Sequence, residues 1–275
     1  MQEQRQAALQ LAALHVKGRP LALYNAWDAG SAKAVAAAGA RAVGTSSWAL
    51  AAAHGYDDGE EIPLALVAQI AGRIVRSVAL PVTVDIEGAY SSDPDTAAAN
   101  VALLLAQGVA GINVEDRIVA GTGLHDIDNQ CARIAAIRAM AESLGVPLFI
   151  NARTDVFFTP GAAPRAVLGE AMARAEAYAR AGASGLFVPG LLDIEVIGEL
   201  AAATALPLNV MMMPGAPSVE RLAAAGVARI SHGPAPYLAA MAAVEAGARA
   251  ARRAGLAGTG AAPCYTGAVM SPCIV

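Results

Sequence analysis

The sequence predicts an α/β fold, a (β/α)8 barrel, and three observations predict it. Short runs rich in β-branched residues or leucine recur eight times along the 275 residues. Each is followed by an Ala-rich stretch of helical composition, at a mean spacing of roughly 29 residues, as a barrel of about 250 residues requires. No linker rich in Pro, Gly or Ser interrupts the series, so residues 1–275 are read as one domain.

The eight runs lie near residues 21–25, 42–46, 82–86, 110–115, 148–153, 185–188, 208–212 and 227–231. Their lead-ins alternate. RPLALYN, LPVTVD, VPLFINAR and LPLNVMM begin through proline; AGARAVGTS, QGVAGINVED, AGASGLFVPG and AGVARISHG begin through glycine. A glycine there suits the left-handed residue that ends a helix. A proline suits a position where the helix has ended and the strand does not yet donate. The alternation is read either as a trace of repeated βαβα units or as coincidence among common loop residues. Asp93-Pro94 predicts an N-cap followed by proline at the first helical position. Pro234 to Arg253 reads as a long final helix, and 255–275 as an irregular tail without periodicity.

Composition narrows the function. Hydrophobic residues make up 56% and charged residues 15% of the chain, which excludes intrinsic disorder. No run of about 18 residues is free of polar interruption, so no membrane span is expected. The net charge of −4 carries no block of Lys or Arg, which argues against nucleic acid and anionic membranes as partners. The opening MQEQRQAALQ is polar where a signal peptide is apolar. Cys131, Cys264 and Cys273 show no metal spacing. A cytoplasmic protein is expected.

In such a barrel the chemistry sits where strands end. Asn25, Trp27 and Asp28 follow the first strand; Ser46, Ser47 and Trp48 the second; Asp85 and Glu87 the third; Glu115, Asp116 and Arg117 the fourth; Asn151, Arg153 and Asp155 the fifth. Asp85 and Glu87 are two apart, so both are expected on one side of the strand. Clustered carboxylates without a nearby His or Cys pair favour Mg2+ or Mn2+; the alternative is that they cap helices or pair with Arg117 and Arg153. Arg153 suits an anionic substrate, or else pairs with Asp155 or Glu115. The Ser46-Ser47-Trp48 turn offers amides to a carboxylate. His54, His125 and His232 read as local hydrogen-bonding residues, and Met211–Met213 as core or pocket wall. The two lysines, Lys17 and Lys33, stand away from strand ends, which leaves no Schiff-base lysine.

GTSSWALAAAHGYDDG, PVTVDIEGAY, GINVEDR and FINARTD, in that order, resemble the isocitrate lyase/phosphoenolpyruvate mutase superfamily. The similarity runs from about residue 20 to residue 250. It implies a 2-oxo acid held on Mg2+, with Asp85 as the direct ligand and Asp58, Glu87 and Glu115 holding the ion partly through water. Asp57 is an alternative to Asp58. The resemblance places the substrate against Ser46, Ser47, Trp48, Asp85 and Arg153, with Trp27 and Asn209 as further contacts, and gives catalytic roles to Arg153, Asp58 and Glu115. It implies a gating loop at 117–128, a last helix exchanged between subunits, and a homo-oligomer built as a dimer of dimers. Two departures stand out. The loop DRIVAGTGLHDID has no cysteine where the lyases carry their general acid, and FVPG, with Gly190, follows strand 6 where they carry a glutamate. The loop also lacks the mutase's Lys-Thr-Asn-Ser segment. The expected activity is Mg-dependent carbon–carbon cleavage or decarboxylation of a short 2-oxo dicarboxylate such as oxaloacetate. Binding of 2-oxoglutarate or pyruvate with little catalysis is the alternative, and phosphonopyruvate chemistry a third.

Overall fold

The computed structural model describes residues 2–158, 161 and 163–256. Eight strands alternate with helices as predicted: β1 Leu21–Leu23, β2 Val43–Gly44, β3 Val82–Asp85, β4 Gly111–Glu115, β5 Phe149–Arg153, β6 Gly185–Phe187, β7 Leu208–Met211 and β8 Arg229–Ser231. The helices are α1 Gln2–Ala13, α2 Ala29–Ala37, α3 Ser47–Ala53, α4 Leu64–Ser77, α5 Pro94–Leu105, α6 Ile127–Ser143, α7 Pro164–Arg180, α8 Ile194–Ala203, α9 Val219–Ala224 and α10 Ala235–Leu256. All strand pairs are parallel, in the order β1-β8-β7-β6-β5-β4-β3-β2. The parallel bridge Ala26↔Thr45 joins the two ends and nearly closes the barrel.

The described chain divides into two compact units, one up to Pro236 and one from Tyr237. The first carries the barrel; the second continues α10, which runs to Leu256, so 255 and 256 are helical where an irregular tail was expected. The remaining tail, with Cys264 and Cys273, lies outside the described residues. Among the described residues no helix is long and apolar enough to cross a membrane.

The lead-in reading has a backbone basis. Gly39, Gly108, Gly182 and Gly226 all adopt positive φ, between 86° and 102°, the left-handed conformation that costs other residues a Cβ clash. Asp93 caps α5, its side chain accepting from the Thr96 amide.

The polar opening segment forms α1, which lies across the N-terminal end of the strands. Gln4 Nε2 donates to the Leu105 and Val109 carbonyls at 2.8 and 3.0 Å. Leu11 is fully buried beneath Gly111, where an added Cβ would come within 2.7 Å of Leu11 Cδ2. The His15 ring stacks on Phe149 at 4.0 Å. Above this plug, three asparagines form a polar layer inside the barrel. Asn151 Nδ2 donates to Asn113 Oδ1 at 2.9 Å and to Asn209 Oδ1 at 3.0 Å. Arg229, buried on β8, reaches across to Asn113 Oδ1 at 3.2 Å. Burial lowers the pKa of Arg229 to about 10, partly opposed by Asp85.

Candidate functional site

A cavity of about 590 Å3 opens at the C-terminal mouth of the barrel, where active sites of this architecture lie. It is lined by residues from all eight strand ends. Ser46, Ser47, Trp48, Asp58, Asp85 and Arg153, all expected at the site, face it. Asp57 is not among its lining residues, which favours Asp58 of the two candidates.

The wall nearest β2 and β3 is polar. Thr45 Oγ1 accepts from the Asp85 amide at 3.0 Å. Ser46 caps α3, its hydroxyl accepting from the Ala49 amide. Ser47 donates to Asp85 Oδ2 from its hydroxyl at 2.9 Å and from its amide at 3.4 Å. Asp85 Oδ1 is buried and has no hydrogen-bond partner. That unpartnered oxygen lines a space also bordered by Asp58, which suits a hard cation carrying its own water. Among the described residues no group of three or more Asp, Glu, His or Cys is gathered tightly enough to hold an ion directly.

Glu87, Glu115, Trp27 and Asn209, also expected at the site, do not line the cavity. The reasons are local. β3 ends at Asp85, and Glu87 lies beyond it in the left-handed region at φ 50°. The alternation that would align it with Asp85 has therefore stopped. Its carboxylate accepts instead from the Glu60 amide, 3.1 Å from each oxygen. Glu60, likewise at positive φ, accepts from the Tyr90 amide at 2.7 Å. This chain of contacts ties the segment carrying Asp58 to the loop after β3. Glu115 is buried under Arg153. Trp27 packs against the core, and its amide donates to Ser31 Oγ in the cap of α2. Asn209 belongs to the polar layer below, with Nδ2 on the Val210 carbonyl at 2.8 Å.

Arg153 makes both ion pairs weighed for it. Nη1 lies 2.8 Å from Glu115 Oε2, while Nε and Nη2 grip Asp155 at 2.6 and 2.7 Å. Its guanidinium also stands 5.8 Å from the centre of the Phe187 ring. Burial opposes its charge, but Glu115 and Asp155 more than offset this and hold the pKa above the ordinary range. Burial raises the Glu115 pKa against the pull of Arg153. Burial, then Asp58 and Asp85, raises Glu87 to about 7. Loss of water at the mouth, then Asp85, raises Asp58.

The expected gating loop is a short antiparallel hairpin that brings Gly123 and Leu124 to the cavity. Arg117 pairs with Leu124, and the Ile118 amide donates to the Gly123 carbonyl at 3.0 Å. Its far end is clamped from α7. Arg174 Nη1 donates to the His125 carbonyl at 3.0 Å and to Asp116 Oδ2 at 3.1 Å. Tyr178 donates to the same Asp116 oxygen at 2.7 Å, and Asp116 Oδ1 accepts from the Asp155 amide at 3.0 Å. His54 bonds the Leu50 carbonyl one turn back, as read from sequence, whereas His232 bonds the Leu23 carbonyl of the neighbouring β1, a contact made across strands rather than locally.

Sequence reasoning missed Asn113, Leu124, Phe158 and Phe187, which line the cavity. An available signal was register: Phe187 pairs with Arg153 across β5 and β6, so a cavity-facing Arg153 implies a cavity-facing Phe187.

The sequence profile of the phosphoenolpyruvate phosphomutase family matches residues 11–252. An uncharacterised Mycobacterium tuberculosis protein is 36% identical over 241 residues, 86% of this chain and 86% of its own. An oxaloacetate decarboxylase from a Bradyrhizobium species is 33% identical over 180 residues, 62% of this chain and 59% of its own. A crystal structure of a provisionally named phosphonomutase from Burkholderia cenocepacia J2315 is 47% identical, covers 90% of this chain and 99% of its own, and superposes with a TM-score of 0.86. With the barrel, the cavity at its mouth and the four ordered motifs, these matches place the chain in the phosphoenolpyruvate phosphomutase family of the isocitrate lyase/phosphoenolpyruvate mutase superfamily.

Proposed function

We propose that this protein is a Mg2+-dependent carbon–carbon lyase that decarboxylates or cleaves a short 2-oxo dicarboxylate of the oxaloacetate type. The observation that carries the reading is the unpartnered Asp85 Oδ1, facing one cavity with Ser46, Ser47, Asp58 and Arg153. The Bradyrhizobium oxaloacetate decarboxylase among its relatives supports the substrate class.

Asp85 would hold Mg2+, or Mn2+, directly, with Asp58 and, through water, Glu87 and Glu115. When bound, the ion supplies a Lewis acid for the keto oxygen. The chain's own residues do the rest. Ser47 fixes Asp85 in place through two donors, so the carboxylate needs no rearrangement to act. Ser46, Ser47 and Trp48 form the wall that receives the substrate carboxylate. Arg153, held on two sides by Glu115 and Asp155, presents a fixed positive charge where negative charge develops. The hairpin at 117–125 limits water above the ligand.

No cysteine stands in residues 117–128. Decarboxylation tolerates this, because water can protonate the product enolate after CO2 departs. The same absence supports the second reading, a 2-oxo acid-binding protein with little turnover. Assembly as a homo-oligomer is part of the proposal, supported by the apolar stripe Leu238, Met241 and Val244 on α10. The deciding experiment incubates the protein with oxaloacetate, with and without Mg2+, and follows pyruvate by NMR. Mg-dependent pyruvate formation that Asp85→Asn abolishes supports the lyase. Ligand-induced thermal stabilisation without product supports the binding protein. Neither response, across oxaloacetate, pyruvate and 2-oxoglutarate, rejects both.

A further inference from the structure

The cavity has two unlike halves. The polar residues described above gather at the ends of β2 and β3. On the opposite arc, β6 contributes Phe187 and β7 contributes Met211. The turn after β5 adds Phe158, and the hairpin closes over them with Leu124. Arg153 and Asp155 also stand on that arc, but they are engaged with each other and with Glu115.

Phe158 owes its place to Gly190. That glycine sits at φ 83°, and a Cβ there would come within 2.9 Å of Phe158 Cδ1 and 3.1 Å of the Phe157 carbonyl. The bare Cα is therefore what lets the ring lie against the strand-6 end of the mouth. The volume, about 590 Å3, falls within the roughly 300–1,000 Å3 of sites that enclose drug-sized ligands. It exceeds what a C4 acid needs.

We propose that Phe158, Phe187, Leu124 and Met211 form an apolar subsite, and that the ligand is an oxaloacetate bearing an alkyl substituent at C3. This rests on the reading of the mouth as a 2-oxo acid site. In the corresponding reaction the bond between C3 and its carboxylate breaks, its electron pair remains on C3 as the enolate, and CO2 leaves. A proton from water then adds at C3. The product is a straight-chain 2-oxo acid longer than pyruvate, its alkyl end against the two phenylalanines.

The product series tests this directly. Binding of pyruvate, 2-oxobutanoate, 2-oxopentanoate and 2-oxohexanoate is measured by calorimetry with Mg2+ present, alongside 2-oxoglutarate. Affinity is expected to rise up to about fourfold per added methylene. The gain should shrink in Phe158→Ala, whose side chain is 40% exposed and whose loss should leave the fold intact. Gly190→Ala, checked for folding by circular dichroism, should shrink it as well by displacing the ring. A flat series, tighter binding of 2-oxoglutarate than of 2-oxopentanoate, or an undiminished gain in Phe158→Ala overturns the subsite while Mg-dependent pyruvate binding preserves the broader reading. If no acid binds, both fall.

Discussion

His15 should make this barrel acid-sensitive at its closed end. The ring stacks on Phe149, its Nδ1 donates to the Leu11 carbonyl at 2.7 Å, and its Nε2 is buried with no partner. Burial, and then the nearby charge of Arg229, lowers its pKa from 6.5 to about 3. The native state therefore keeps His15 neutral over a range where the unfolded chain binds a proton. Stability is full above pH 6.5 and is lost as pH falls from there toward 3. At about 1.36 kcal/mol per pH unit, roughly 2 kcal/mol is lost by pH 5. For a domain of this size that corresponds to a Tm lower by about 4–8 °C. The assay compares urea unfolding at pH 7.5 and pH 5 in the wild type and in His15→Gln, which cannot titrate. The variant should be less stable at pH 7.5 but lose about 2 kcal/mol less between the two values. Equal losses in both proteins would refute the reasoning, because the acid sensitivity would then belong to other groups.

Other outcomes follow from single contacts. Asp85→Asn should lower Mg-dependent turnover by more than about 100-fold with little change in Tm, measured by pyruvate release. Arg153→Lys keeps the charge but loses the fork on Asp155, so kcat should fall while circular dichroism is unchanged. Arg174→Met removes the ion-pair partner of the buried Asp116, which should cost about 3–5 kcal/mol in denaturant unfolding. It also unclamps the hairpin, so protease cleavage near residues 118–124 should accelerate. Gly226→Ala has room for its methyl, 3.5 Å from Ala201 Cβ, but stands at φ 86°; a loss of about 1–2 kcal/mol is expected from backbone conformation alone.

The sequence by itself determined the barrel. Its eight runs, alternating lead-ins and capping residue Asp93 are local signals, and local backbone preferences suffice to place strands and helices in order. It also marked Ser46, Ser47, Asp85 and Arg153, because in a parallel barrel every strand's last residues meet at one mouth. The tertiary structure decided what position along the chain does not encode. Glu87 turned away because the strand stops two residues earlier and the backbone passes into the left-handed region. Glu115 went beneath Arg153, since a buried guanidinium needs carboxylates more than the open cavity does. Phe158 and Leu124 entered the mouth without any polar residue to announce them, and Phe187 followed only from its register with Arg153. Their placement depends on contacts across the barrel, including the absence of a side chain at Gly190, and such contacts arise only once distant strands have closed on one another.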